Sequence, residues 1–148
     1  MRKLLIAALL MMTALPAAAH DMSKLGPKGG QLAHVASNHF ELLPLPGGGV
    51  RLYIYAATDE NVPADATKAS AKGRFVVNGK MTEAVFSPAG GNAMAATTVP
   101  LTGQWTALVQ VSLPGKPTNT VRFNTAVMAA QAKATAAAAP KAGDHAHH

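Results

Sequence analysis

Asn78-Gly79 stands between two runs rich in strand-forming residues, GRFVV before it and KMTEAVF after it. Both central residues of a type I′ turn need positive φ, which asparagine and glycine tolerate best. The dipeptide therefore predicts a two-residue hairpin and commits the centre of the chain to antiparallel pairing. The same period of two recurs in GQWTALVQVSLPG, where Trp105, Ala107, Val109, Val111 and Leu113 alternate with Thr106, Leu108, Gln110 and Ser112. Further strands are expected over Gln31–Ala36, His39–Leu43 and Val50–Thr58, the first two joined by a tight Ser37-Asn38 turn. In the third, Leu52, Ile54 and Ala56 share one face and Arg51, Tyr53 and Tyr55 the other. A short strand is expected around Ala93–Val99, and a last one over Asn119–Met128 places Val121, Phe123, Thr125 and Val127 on one face. Seven to eight short strands with turn signals about every ten residues predict an all-β, antiparallel, immunoglobulin-like sandwich over residues 31–128. Closure into a small barrel is the rival topology that periodicity leaves open.

The ends of the chain differ in kind from this middle. Residues 1–19 have the three parts of a secretory signal peptide: the basic pair Arg2 and Lys3, the apolar run Leu4–Leu15, and the small residues Ala17-Ala18-Ala19 at a cleavage site. The run is shorter than the ~20 apolar residues that a helix needs to cross a bilayer. The expectation is export to the periplasm or beyond, without stable membrane insertion after cleavage. Residues 20–30 form a polar, Gly/Pro-rich N-terminal segment. Residues 129–148 form an Ala/His-rich tail that is either disordered or helical, with Pro140 and Gly143 ending any helix and no apolar face beyond alanine with which to dock.

Composition removes several kinds of chemistry. The chain has no cysteine, which excludes disulfides, thiolate metal sites and thiol nucleophiles. Thirteen Lys and Arg stand against seven Asp and Glu, but Arg2 and Lys3 belong to the signal, and the remaining cations are scattered. A nucleic-acid surface needs clustered cations beside stacking aromatics, so no nucleic-acid partner is expected. No nucleophile elbow, HExxH or phosphate loop appears, and the six histidines leave residues 40–144 empty; the chain does not read as an enzyme.

The histidines point instead to a transition-metal ion. Cleavage after Ala19 makes His20 the first residue, and its α-amine and ring Nδ1 then form a bidentate chelate with no need of a scaffold, to which Asp21 adds an oxygen. His34 and His39 flank the first hairpin turn in HVASNH, where register decides whether their rings share a face. His145, His147 and His148 make a metal-collecting arm at the C-terminus. Such a nitrogen-rich set favours copper, with zinc next. Met22 is the one thioether placed near this set. The expected role is a periplasmic metal-binding protein for buffering or delivery. The alternative is a structural or interaction module that docks on an envelope or efflux assembly without metal, with Tyr53, Tyr55 and Arg51 as its contact surface.

The stretch GPKGGQLAHVASNHFELLPL, followed by VRLYIYAATDENVP, resembles small exported proteins related to the N-terminal segment of periplasmic adaptor subunits of heavy-metal efflux pumps. In those proteins a Gly-Pro-His-Gly-Gly turn leads into a strand, then a strand like FELL, an aromatic strand like RLYIY and a proline-containing loop. The similarity runs from about Gly26 to Thr125. It implies a periplasmic β-sandwich concerned with copper, zinc or a related metal, and a partner in the efflux system. Lys28 stands where the pattern often has histidine, and a protonated lysine donates without accepting, so the turn itself makes a poor ligand. The histidine at the expected mature start also resembles that of periplasmic copper-resistance carriers.

Overall fold

A computed structural model describes residues 24–140, apart from Ser37 and Thr98. Eight strands and one helix follow in order: β1 (Gln31–Val35), β2 (Asn38–Pro44), β3 (Val50–Tyr55), β4 (Ser70–Val77), β5 (Lys80–Pro88), β6 (Ala93–Ala96), β7 (Trp105–Ser112), β8 (Asn119–Asn124) and α1 (Thr125–Ala138). The fold is mostly antiparallel β, as the alternation requires. Asn78 and Gly79 carry φ of 49° and 82° and close the β4–β5 hairpin, with Val77 opposite Lys80.

The strands form one hydrogen-bonded order, β1-β2-β3-β6-β5-β4-β7-β8, and β1 lies against β8. The sheet is thus nearly a closed barrel. That is the topology alternation left open beside the immunoglobulin-like sandwich, because alternation reports which side of a strand is buried and not which strands are neighbours. The interior is filled by Phe40, Leu42, Leu52, Ile54, Phe75, Phe86, Met94, Trp105, Val109, Val121 and Phe123. At Gly73 a Cβ would come within 2.5 Å of the Phe75 ring, so the glycine makes room for the aromatic pair Phe75 and Phe86.

Several boundaries differ from those expected. The first hairpin turns at Ala36, with φ of 51°, while Asn38 already pairs with Val35 inside β2. Strand β3 ends at Tyr55 and not Thr58, and β6 ends at Ala96. The strand expected over Asn119–Met128 stops at Asn124, and Thr125–Met128 are helical. Asn124 is the cause: its extended backbone ends the strand and its Oδ1 accepts from the Val127 N–H at 2.8 Å, a helix N-cap that the alanines then propagate.

The helix docks, although its sequence lacks an apolar stripe. Met128, Gln131 and Thr135 share one face at helical spacing. Met128 packs on the core, and the Gln131 amide accepts from Leu32 N–H at 3.1 Å and donates to the Leu32 carbonyl at 2.9 Å. Gln131 thereby completes the outer edge of β1 as a further strand would. Nearby, the Asn124 N–H donates to Gln31 Oε1 at 2.8 Å, and the Leu25 N–H donates to Thr135 Oγ1 at 2.9 Å. Among the described residues no helix is long and apolar enough to cross a membrane.

Candidate functional site: the outer face of β1, β2 and β3

Strands β4, β5, β7 and β8 bury one face, but β2 and β3 are buried on both. Their second face carries polar chemistry. Register sets His34 opposite His39 and His39 opposite Tyr55, with Glu41 opposite Tyr53 in the next row.

The two imidazoles stack, with ring centroids 4.4 Å apart and planes 13° from parallel. His39 is buried, and its Nδ1 lies 2.8 Å from the Ala56 carbonyl oxygen. A carbonyl only accepts, so Nδ1 carries the proton, and Nε2 is the ring's basic nitrogen when the imidazole is neutral. The residue just before that carbonyl is held in turn: Asn38 donates to the Tyr55 carbonyl at 2.8 Å, and Lys116 Nζ donates to Asn38 Oδ1 at 3.2 Å. Asp59 lies just beyond on the surface. Its carboxyl is held below the ordinary carboxylate range chiefly by the Asn61 backbone N–H at 2.8 Å and the Asn61 side-chain amide at 3.0 Å, with a smaller pull from His39.

Glu41 anchors the adjoining row. It is fully buried, and its Oε1 accepts from the Lys28 N–H at 2.9 Å and the Gly30 N–H at 2.7 Å, while Oε2 accepts from the Tyr55 hydroxyl at 2.6 Å. These three donors offset the cost of removing a carboxylate from water. The turn that supplies two of them is written in GPKGG: Pro27 follows Gly26, Gly29 takes φ of 85°, and the Gly29 N–H donates to the Gly26 carbonyl at 2.9 Å. A Cβ at Gly26 would fall on the Glu41 carboxyl carbon, and one at Gly30 on the Leu42 carbonyl. Burial first, and the hydrogen bond to Glu41 second, push the Tyr55 phenol far above the ordinary tyrosine range.

This arrangement overturns the expected contact surface. Tyr53 and Tyr55 are only 8% and 2% exposed, beneath the N-terminal turn, and Lys28 Nζ sits 5.9 Å from the Tyr53 ring centroid. Lys28 contributes its backbone N–H and a cation over a ring. Of the expected metal ligands, the structure brings His34 and His39 together; His20, Asp21, His145, His147 and His148 lie outside the described residues, as does the expected signal peptide. Among the described residues, no group of three or more His, Cys, Asp or Glu side chains is placed to hold a metal ion.

Glu41 was not singled out from sequence, and Tyr55 was expected on an open contact face and not as the partner of a buried carboxylate. The signal was present: Glu41 is the only charged residue between Lys28 and Arg51, set in an apolar strand, and a lone carboxylate there must find donors or not be buried. No protein-family model, no curated protein and no solved structure matches the chain.

Proposed function

We propose that the chain is a periplasmic metal-binding protein that buffers or delivers copper, with zinc as the next ion, and that the His34–His39 pair is the half of its site built into the fold. The observation that supports this is the stacked pair itself, with the His39 tautomer set by the Ala56 carbonyl. Metal-binding histidines characteristically donate their second ring N–H to a carbonyl or carboxylate in this way. Two imidazoles without thiolate suit copper and zinc. Nearly parallel planes hold the two sets of ring lone pairs in separate layers, so one ring must turn before both reach one ion.

Further ligands come from the chain ends in this reading. Gly26 lies against Glu41, which is two residues from His39 on the same strand face, a separation of ~7 Å. His20 is six residues before Gly26, and six extended residues span up to ~20 Å, more than enough to reach the pair. The Leu25–Thr135 hydrogen bond starts the histidine tail from the same corner, so His145, His147 and His148 serve as a collecting arm. Service to a metal-efflux assembly in the envelope is the extension of this reading that the adaptor-like turn motif favours.

Calorimetric titration with Cu(II) at neutral pH, on protein processed after Ala19, tests the proposal. Native protein should bind one ion more tightly than the His34→Ala/His39→Ala double variant by about tenfold or more, which corresponds to ~1.4 kcal/mol. Removal of residues 145–148 should lower capacity and leave the tight site. Equal titrations for native protein and the double variant would end the assignment. Binding should also weaken in acid, because the ligands must shed protons to bind.

A further inference from the structure

Six large apolar side chains are exposed among the described residues, and four of them share one face: Val85 at 76%, Met81 at 59%, Leu108 at 44% and Val76 at 39%. They stand on the outside of β5, β4 and β7, in the half of the strand order away from the imidazole pair. Register interleaves them with cations. Lys72 sits opposite Val85, Arg74 opposite Leu108, and Leu108 opposite Arg122 of β8. Glu83 is the one carboxylate in these rows, and it lies 3.4 Å from Arg74 across an exposed ion pair. A groove of about 500 Å³ runs over the face, walled by Lys72, Arg74, Glu83, Val85 and Leu108 and extended by Gln110.

We propose that this face docks an acidic segment of another protein, one that places apolar side chains on Val85 and Leu108 and carboxylates beside Lys72, Arg74 and Arg122. Water-exposed aliphatic side chains gathered on one face and rimmed by charge mark an interaction surface. The sign of the rim selects the partner, since an excess of cations around an apolar floor complements carboxylates and repels a second copy of the same face. A groove between side chains accepts a segment of chain, whereas a lipid surface would meet a level or convex plane. This surface does not depend on metal binding, and it replaces the Tyr53 and Tyr55 face, which is buried.

The test is an amide-shift titration by NMR of the processed protein with a short synthetic peptide that alternates leucine and glutamate. A leucine–lysine peptide and vesicles of mixed phosphatidylglycerol and phosphatidylcholine run in parallel. The acidic peptide should move amides of β4, β5, β7 and β8 only, and its affinity should fall with added salt. Lys72→Glu/Arg74→Glu and, separately, Val85→Ser/Leu108→Ser should each weaken it by about tenfold. These positions are solvent-facing, and unchanged circular dichroism checks that both variants fold. Four results would overturn the proposal: no shifts with the acidic peptide, equal binding of the lysine peptide, binding of vesicles without the peptide, or concentration-dependent self-association through this face.

Discussion

Glu41 shows how one residue can organise a segment that has little secondary structure of its own. Its carboxylate meets two backbone N–H groups of the Gly26–Gly30 turn and one phenol, and a Glu41→Ala variant would leave the buried Gly30 N–H and Tyr55 hydroxyl, and the part-buried Lys28 N–H, without that acceptor. An unmet buried donor costs ~1–3 kcal/mol, so the expected loss is about 3 kcal/mol or more, read as a lowered midpoint in chemical denaturation with faster hydrogen exchange at Lys28 and Gly30. Glu41→Gln keeps one acceptor oxygen and should lose less. Tyr55 adds a dependence on alkaline pH. Its phenol titrates above its ordinary value in the folded chain, so the unfolded chain releases the proton first as pH rises. Stability from this group is whole below about pH 10 and declines above it. Denaturation midpoints measured from pH 8 to 11 should fall at the alkaline end, and Tyr55→Phe should flatten that limb; an unchanged limb would assign it to other groups.

At the scale of elements, α1 closes what the strands leave open. The Gln131 amide makes both hydrogen bonds to the backbone of Leu32 that a neighbouring strand would make. Gln131→Ala should cost ~1–3 kcal/mol, seen as a lowered melting temperature together with faster exchange at the Leu32 amide. Faster exchange across the whole sheet without a local excess at Leu32 would show that the bonds do not hold this edge. The same element shows where sequence reading reached its limit. The β4–β5 hairpin was legible because Asn78-Gly79 encodes its own geometry, and β7 because Trp105–Leu113 alternate without interruption. The switch from strand to helix at Asn124 was hidden. Val121, Phe123, Thr125 and Val127 continue the period of two past the point where the Asn124 side chain caps the helix. Docking through a glutamine leaves no apolar stripe to find, because the bonds that matter go to a backbone remote in sequence.

Across the whole molecule, the two ends of the strand order have different outer surfaces. β2 and β3 are covered on both sides and hold His39, the glutamate and the tyrosines, with His34 beside them on β1; β4, β5, β7 and β8 present an open face of cations and aliphatic side chains. Alternation foretold the second group well, since polar and apolar positions take turns along it. It misled over Tyr53 and Tyr55, whose side of β3 looked solvent-facing until the Gly26–Gly30 turn covered it, and a covering that distant has no local signature. Pairing of His34 with His39 was within reach of sequence reasoning, but it required the turn register that only the structure supplies. The Leu25–Thr135 hydrogen bond has one more consequence, for connectivity. Because it joins residues near the two ends of the described range, the backbone from Leu25 to Thr135 is close to a loop, and its covalent opening is movable. A chain joined by a linker at that corner and cut between Asn78 and Gly79 would keep every strand neighbour it has now, because β4 and β5 would still meet side by side as the two new terminal strands.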